Sequence, residues 1–264
     1  MSTQKLVEYV CRKTSATFLI DGNLDKPVWQ AAEKSAPFVD MVGGEPAMLE
    51  TRLACLWDDE NLYAAFWLSE PAVQASLTER DSFIWYDNDV EVFIDGEDCY
   101  YEFEINAFNT VYEVLFIYQD ALKRGGRFDT PDFDLYSRNV DVLGGFQDPT
   151  RYNKHARGKR WAFMDYDFPG LKTGVKVDGK INDPSHLDKG WTVELAFPWK
   201  GLQKMYASRR FPPAEGDELR ANFFRFENMR FNGQHSGSAG WALAPHGVYD
   251  SHRPECFPRL RFTR

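Results

Sequence analysis

The stretch from Trp85 to Asn106, WYDNDVEVFIDGEDCYYEFEIN, decides the reading of this chain. Alternation with a period of two sends Val90, Val92 and Ile94 to one face of a strand, and Asp89, Glu91, Phe93 and Asp95 to the other. A second run repeats the pattern, with Tyr101, Phe103 and Ile105 alternating against Tyr100, Glu102, Glu104 and Asn106. Asp95, Gly96, Glu97 and Asp98 read as the loop between them, so the whole is an antiparallel hairpin. Setting Ile94 opposite Cys99 places Glu91 across from Glu102 and Asp89 across from Glu104. Like charges directly across such a pair destabilise it. The acidic face therefore calls for a cation, a protonated carboxyl or a ligand that uses the acceptors, and Arg225 of NFFRFE is the expected cation if its strand lies alongside.

Outward from the hairpin, the same reasoning gives further strands. TRLACLW and LYAAFWL form two, at residues 51–57 and 62–68, joined by the acidic turn DDEN. TVYEVLFIY, LKTGVKVDG, GWTVELAFPW, ELRANFFRFENM and the closing RLRF add others. ATFLIDGNLDKPVWQAA reads as a strand, a DGN turn and a short helix entered at Asp25, with Pro27 in its first turn and Trp29 directed inward. A second short helix follows Pro198. Residues 119–189 are rich in Gly, Pro and Asp and hold only short strands, and the tail around PHGVYDSHRPE is a loop rich in His and Pro. Strands dominate without a βαβ rhythm, which predicts an all-β chain. Its expected form is an antiparallel two-sheet β-sandwich, jelly-roll or immunoglobulin-like, with short helical turns and one long irregular insertion. The 264 residues are read as a single domain, 1–264.

Composition narrows the function classes. The formal net charge of −9 repels phosphate backbones and anionic lipid surfaces, so neither nucleic acid nor membrane is an expected partner. The one basic run, RYNKHARGKRW, reads as a solvated loop. Cys11, Cys55, Cys99 and Cys256 are widely spaced, without the CxxC pairs of a zinc site, and are expected as buried thiols. Neither an apolar leader nor a run of about 18 apolar residues is present. The sequence thus reads as soluble, cytoplasmic if its start is native. Aromatic residues make up 16% of the chain, which suits either a sandwich core or a surface that stacks on flat ligands.

Taken in order, IDGNLDKPVWQAA, WDDENLYAAF, WYDNDVEVFID, YYEFEIN, GWTVELAFPW, ANFFRFE and HRPECF resemble carbohydrate-binding module family 9, from about residue 16 to 263. The resemblance implies a β-sandwich of bacterial xylan- or glucan-degrading systems that binds a plant-type polysaccharide or its chain end without cleaving it, and that usually works outside the cell. By position, Trp85 corresponds to one of two tryptophans that sandwich a terminal sugar, and Glu91 and Asn106 to residues that hydrogen-bond its hydroxyls. Glu104 stands where those members have an arginine, and His252 where they have the second tryptophan. The candidate ligand-binding set is thus Trp85, Glu91, Glu104, Asn106, Arg225, His252 and Arg253, with no catalytic residue. The resemblance also implies an association with calcium as a structural ion. No dense acidic loop of the EF-hand kind assigns its ligands.

Two rival classes stay open on residue type alone. Paired carboxylates are what a glycoside hydrolase needs, although any acidic hairpin supplies them. Met229, His246 and His252 include haem-ligand types, but no CxxCH motif accompanies them.

Overall fold

A computed structural model describes residues 6–143, 155–231 and 234–264. In chain order the elements are β1 (Glu8–Lys13), α1 (Pro27–Gln30), β2 (Val39–Asp40), β3 (Thr51–Trp57), β4 (Asn61–Ser69), β5 (Asp89–Asp95), β6 (Cys99–Asn106), β7 (Val111–Tyr118), β8 (Val140–Val142) and β9 (Arg160–Phe163). They continue with β10 (Lys172–Asp178), β11 (Gly190–Pro198), α2 (Trp199–Gln203), β12 (Glu218–Phe231), β13 (Gln234–Ala242) and β14 (Arg259–Thr263). The strands follow the order β10-β11-β4-β3-β1-β14-β12-β5-β6-β7-β9-β8, with β13 on the remaining side of β12 and β2 beside β13.

β12 belongs to both layers of this sandwich. Its first residues, Glu218–Arg220, pair with β14, and Ala221–Phe226 then pair with β5. The layers meet through Phe66 against Phe223, with ring centroids 6.0 Å apart, and Phe103 against Phe197 at 5.8 Å. Leu53, Val193 and Leu195 of one layer share this core with Val90, Val92 and Ile105 of the other, all with no measurable exposure. Pairing is antiparallel except at β1, which runs parallel to both β14 and β3. Among the described residues that is the one departure from the antiparallel expectation, and it arises in a segment to which the sequence reading assigns no strand.

The hairpin turn is tighter than expected. Gly96 and Cys99 are joined by a backbone hydrogen bond of 3.0 Å, and Asp98 adopts the left-handed conformation at φ 66°. Glu97 and Asp98 alone therefore make the turn. The register moves by two residues, so that Glu91 faces Glu104, Phe93 faces Glu102 and Asp89 faces Asn106. A shift of two preserves the faces, and the acidic side remains acidic.

Two buried polar clusters hold the chain in place, one on the outer side of a layer and one between the layers. Glu194 of β11 accepts hydrogen bonds from Trp29 Nε1 at 2.7 Å and from the backbone N–H groups of Asp21 and Gly22 at 2.9 and 3.1 Å, and it pairs with Lys26 at 2.6 Å. This one carboxylate holds the DGN turn onto β11. Gly22 has φ 80°, and a Cβ there would meet the Val175 backbone at 2.4 Å, so no other residue fits. The helix α1 starts at Pro27 with Lys26 as its cap rather than at Asp25, and the expected strand at ATFLI is irregular chain whose Phe18 packs on Trp29.

Arg225 forms the second cluster. Its guanidinium donates to Glu70 Oε2 at 2.5 Å, Glu227 Oε2 at 3.0 Å, Thr51 Oγ1 at 3.1 Å and the Ser69 carbonyl at 3.0 Å. It lies opposite Val90 and so on the inter-layer side of the sheet, the side away from Glu91, Glu102 and Glu104. Arg225 is thus not the counter-charge of the acidic face. The described part of the basic run is loop over residues 155–159, with Arg157 exposed as expected, but not at its end. Arg160 is fully buried over Tyr100 and Tyr118, and Arg157 pairs with Asp98 and Asp120, while residues 151–154 lie outside the described residues.

Replacing Glu194 by Ala would strand the Trp29 indole N–H and two backbone N–H groups. It is expected to cost about 3 kcal/mol or more of stability, read as a lower denaturant midpoint in equilibrium unfolding. An unchanged midpoint would show that the turn holds without its carboxylate.

Candidate functional site

The outer faces of β5, β6, β7 and β12 carry the acidic side of the hairpin, and they form the floor of a cleft of about 580 Å³. Glu91, Glu102 and Glu104 lie along the floor, each at most 5% exposed. Aromatic rings wall it: Tyr112 and Phe116 from β7, Phe226 from β12, and Trp85 and Tyr249 from loops. Asp141 of β8 and Asp250 and His252 of the tail complete the rim, and among the described residues no Lys or Arg lines the cleft.

Trp85 sits in a single 3-10 turn, Ile84–Tyr86, immediately before β5. Its indole stacks on Phe83 at 4.5 Å and meets Tyr112 edge-on at 5.1 Å, leaving the residue 37% exposed. A ring held on two sides with an open edge is a platform a sugar C–H face can use. His252 is not an equivalent second platform. Its ring lies edge-on to Phe93 at 5.3 Å and Phe116 at 5.1 Å, with Nδ1 at 3.0 Å from the Tyr100 hydroxyl and Nε2 at 3.8 Å from Glu102. The exposed aromatic on the tail side is Tyr249, which is 54% exposed and packs edge-on against Phe226 at 5.8 Å.

Burial in this dry floor pushes Glu91 and Glu104 well above the ordinary carboxylate range, and their acidic neighbours push further. Asp89, beside Glu91 on the same face and fully buried, is also raised by burial, against which the Phe226 backbone N–H favours its charged form. Glu102 is pushed up to about 8, chiefly by desolvation, with a hydrogen bond to Glu104 opposing the rise. The opening problem of like charges facing each other is therefore met, in the bare chain, by carboxyls that hold their protons.

Of the sequence candidates, the structure brings Trp85, Glu91, Glu104 and His252 together around the cleft. It does not bring Asn106, Arg225 or Arg253 there. Both Asn106 amide hydrogens are used, on Leu77 O at 2.8 Å and Asp87 Oδ2 at 2.9 Å, and its oxygen accepts from the Phe108 and Thr110 backbone. Arg225 is in the inter-layer cluster, and Arg253 pairs with Glu255 at 2.6 Å. Tyr112, Phe226 and Tyr249 were missed. The first two were legible as outward positions of their strands, whereas Tyr249 reaches the cleft through a loop path that no local pattern announces. The haem-type residues are divided: Met229 packs on the inter-layer core, while both ring nitrogens of His246 engage Asn222 and the Asp250 carbonyl.

Fold and site together define a two-layer β-sandwich with an open aromatic and acidic cleft on one outer face. Residues 20–126 match the family described as carbohydrate family 9 binding domain-like. Three solved structures share the fold across nearly the whole chain. A proposed carbohydrate-binding protein from Bacteroides uniformis ATCC 8492 is 16% identical, with a TM-score of 0.60 over 97% of this chain and 99% of that one. A carbohydrate binding module family 9 from Caldicellulosiruptor kristjanssonii in complex with cellotriose is 14% identical, with a TM-score of 0.55 over 97% and 93%. The same organism's family 9 module in complex with glucose is 14% identical, with a TM-score of 0.54 over 97% and 97%. No curated protein matches the chain. No helix among the described residues is long and apolar enough to cross a membrane.

The floor carboxyls bind protons more tightly folded than unfolded. Their stabilising effect is complete below the unfolded value, 4.5 for Glu102, and is lost as pH rises toward about 8. Glu227, also pushed up to about 8 by burial, acts in the same sense. Without added metal, the melting temperature should fall between pH 5 and 8, each group contributing at most about 1.4 kcal/mol per pH unit. Glu102→Gln should flatten that fall. A melting temperature that rises across this window would contradict the assignment.

Proposed function

We propose that this chain is a non-catalytic carbohydrate-binding domain that takes a sugar, as a polysaccharide chain end or an oligosaccharide, into the cleft on the outer face of β5, β6 and β7. The observation that carries this reading is the exposed Trp85 platform at the mouth of a cleft whose floor is a row of hydroxyl-pairing carboxyls. Apolar C–H faces pack on indole, and carboxyl oxygens accept from or donate to equatorial hydroxyls according to their protonation. The solved family 9 modules with cellotriose and with glucose support a glucose-type ligand. Cello-oligosaccharides are the first probes, with xylo-oligosaccharides beside them.

Calorimetry with cellotriose, glucose and xylotriose tests the reading, together with an assay for released reducing ends. Saturable binding without turnover is expected. Trp85→Ala should weaken binding by about thirtyfold, the usual effect of losing an aromatic anchor worth about 2 kcal/mol. Its melting temperature should move little. If Trp85→Ala binds like the parent, the platform assignment fails, and release of reducing ends would replace binding by hydrolysis.

A further inference from the structure

We propose that the cleft selects an amino sugar, a pyranose whose ammonium group is seated between Glu91 and Glu104, over the neutral sugar of the same shape. The proposal rests on the reading of the cleft as a sugar site and names the substrate class within it. Glu91 and Glu104 face each other across β5 and β6, and both line the cleft while being only 4% and 1% exposed. Oε2 of each is buried without a hydrogen-bond partner. Acceptors in that position cost folding free energy until a ligand or a proton meets them. Among the described residues no Lys or Arg lines the cleft to do so. Arg225 is committed to Glu70 and Glu227 on the other side of the sheet, Arg160 lies over Tyr100 and Tyr118, and His252 Nε2 lies beside Glu102 at 3.8 Å.

An ammonium meets this demand better than a hydroxyl. One oxygen of Glu91 and one of Glu104 lie no more than 4.8 Å apart. A single nitrogen making two charge-assisted hydrogen bonds of about 2.8 Å spans up to about 5.6 Å between its acceptors, so one ammonium reaches both. A hydroxyl offers one donor and no charge, whereas an ammonium offers three donors and bonds a carboxylate about twice as strongly as a neutral donor does. Burial holds protons on Glu91 and Glu104 in the bare chain, and an ammonium takes the place of a proton there, which a neutral sugar cannot do. The walls favour the same ligand. Trp85, Tyr112, Phe226 and Tyr249 present ring faces that attract an organic cation and stack on a pyranose, and a cleft of about 580 Å³ is sized for a ligand with a carbon skeleton. Asp141 on the exposed rim and the formal net charge of −9 draw a cationic sugar chain inward.

The test compares two ligands of one shape on the full chain. Calorimetry at about pH 6, where a sugar amine carries its proton, sets β-linked triglucosamine against cellotriose, which has a hydroxyl in place of each ammonium. Triglucosamine is expected to bind about tenfold tighter or more. Glu91→Gln and Glu104→Gln, which keep side-chain shape, should each bring the two ligands within about threefold of each other. Glu8→Gln removes the same charge from an exposed position on β1 and should preserve the preference. Should a substituted chain fail to fold, the parent with the N-acetylated trimer decides, because its rings carry uncharged amides and should bind at least tenfold more weakly than triglucosamine. Cellotriose bound as tightly as triglucosamine overturns the amino-sugar proposal and leaves the sugar reading intact, whereas binding of neither overturns both. A preference that survives both Glu91→Gln and Glu104→Gln, or an acetylated trimer bound as tightly as the amine, also overturns it.

Discussion

Everything on the outer face of this sandwich follows from the alternation of β5 and β6. Val90, Val92 and Ile94, with Tyr101, Phe103 and Ile105 opposite, are buried against the second layer. A slip of one residue would bring Asp89, Glu91 and Glu104 into that core and expel six large apolar side chains. The carboxylates are therefore held on the outer face by the packing of their neighbours, not by favourable contacts of their own. That face is itself covered, by Phe93, Tyr100, Phe116, Phe224 and Phe257, so the acids are desolvated without being in the core.

Holding two layers around such a strand pair requires fixed points elsewhere. β12 supplies one by passing from the layer of β14 to the layer of β5, and Arg225, in its β5-paired part, donates across to Thr51, Ser69 and Glu70 of the facing layer. On the outer side of the other layer, Glu194 gathers the DGN turn, Lys26 and Trp29 onto β11. Buried charged groups of this kind contribute modestly when paired and cost several kcal/mol when a partner is lost. They therefore fix geometry more than they raise stability.

How much of this was legible from sequence depended on whether a segment's structure is set locally. β3, β4, β5, β6, β7, β10, β11 and β14 were legible because each alternates or runs apolar between clear turn signals. β13 was not: QHSGSAGWA is polar and glycine-rich, and its strand form comes from pairing with β12. The hairpin register was misjudged by two because a left-handed Asp98 permits a turn that Gly96 seemed to own. Site residues divided in the same way. Glu91, Glu104 and Trp85 follow from strand parity and position beside the hairpin. Whether Arg225 lies above or below the sheet depends on its pairing with Val90, which only the tertiary register reveals.

The cleft's selectivity then depends on what compensates its floor. Protonated carboxyls donate hydrogen bonds, whereas ionised ones only accept. On the proposed reading as a sugar site, a hydroxyl can do both, so either state would permit binding, but each would favour a different hydroxyl orientation. Trp85, Tyr112 and Tyr249 impose shape alone, because stacking is indifferent to the protonation of the floor. Ionised, Glu91 and Glu104 would instead make the floor a row of fixed acceptors. On that reading the aromatic walls would decide that a pyranose enters, and the charge state of Glu91 and Glu104 would decide which of its hydroxyls point down.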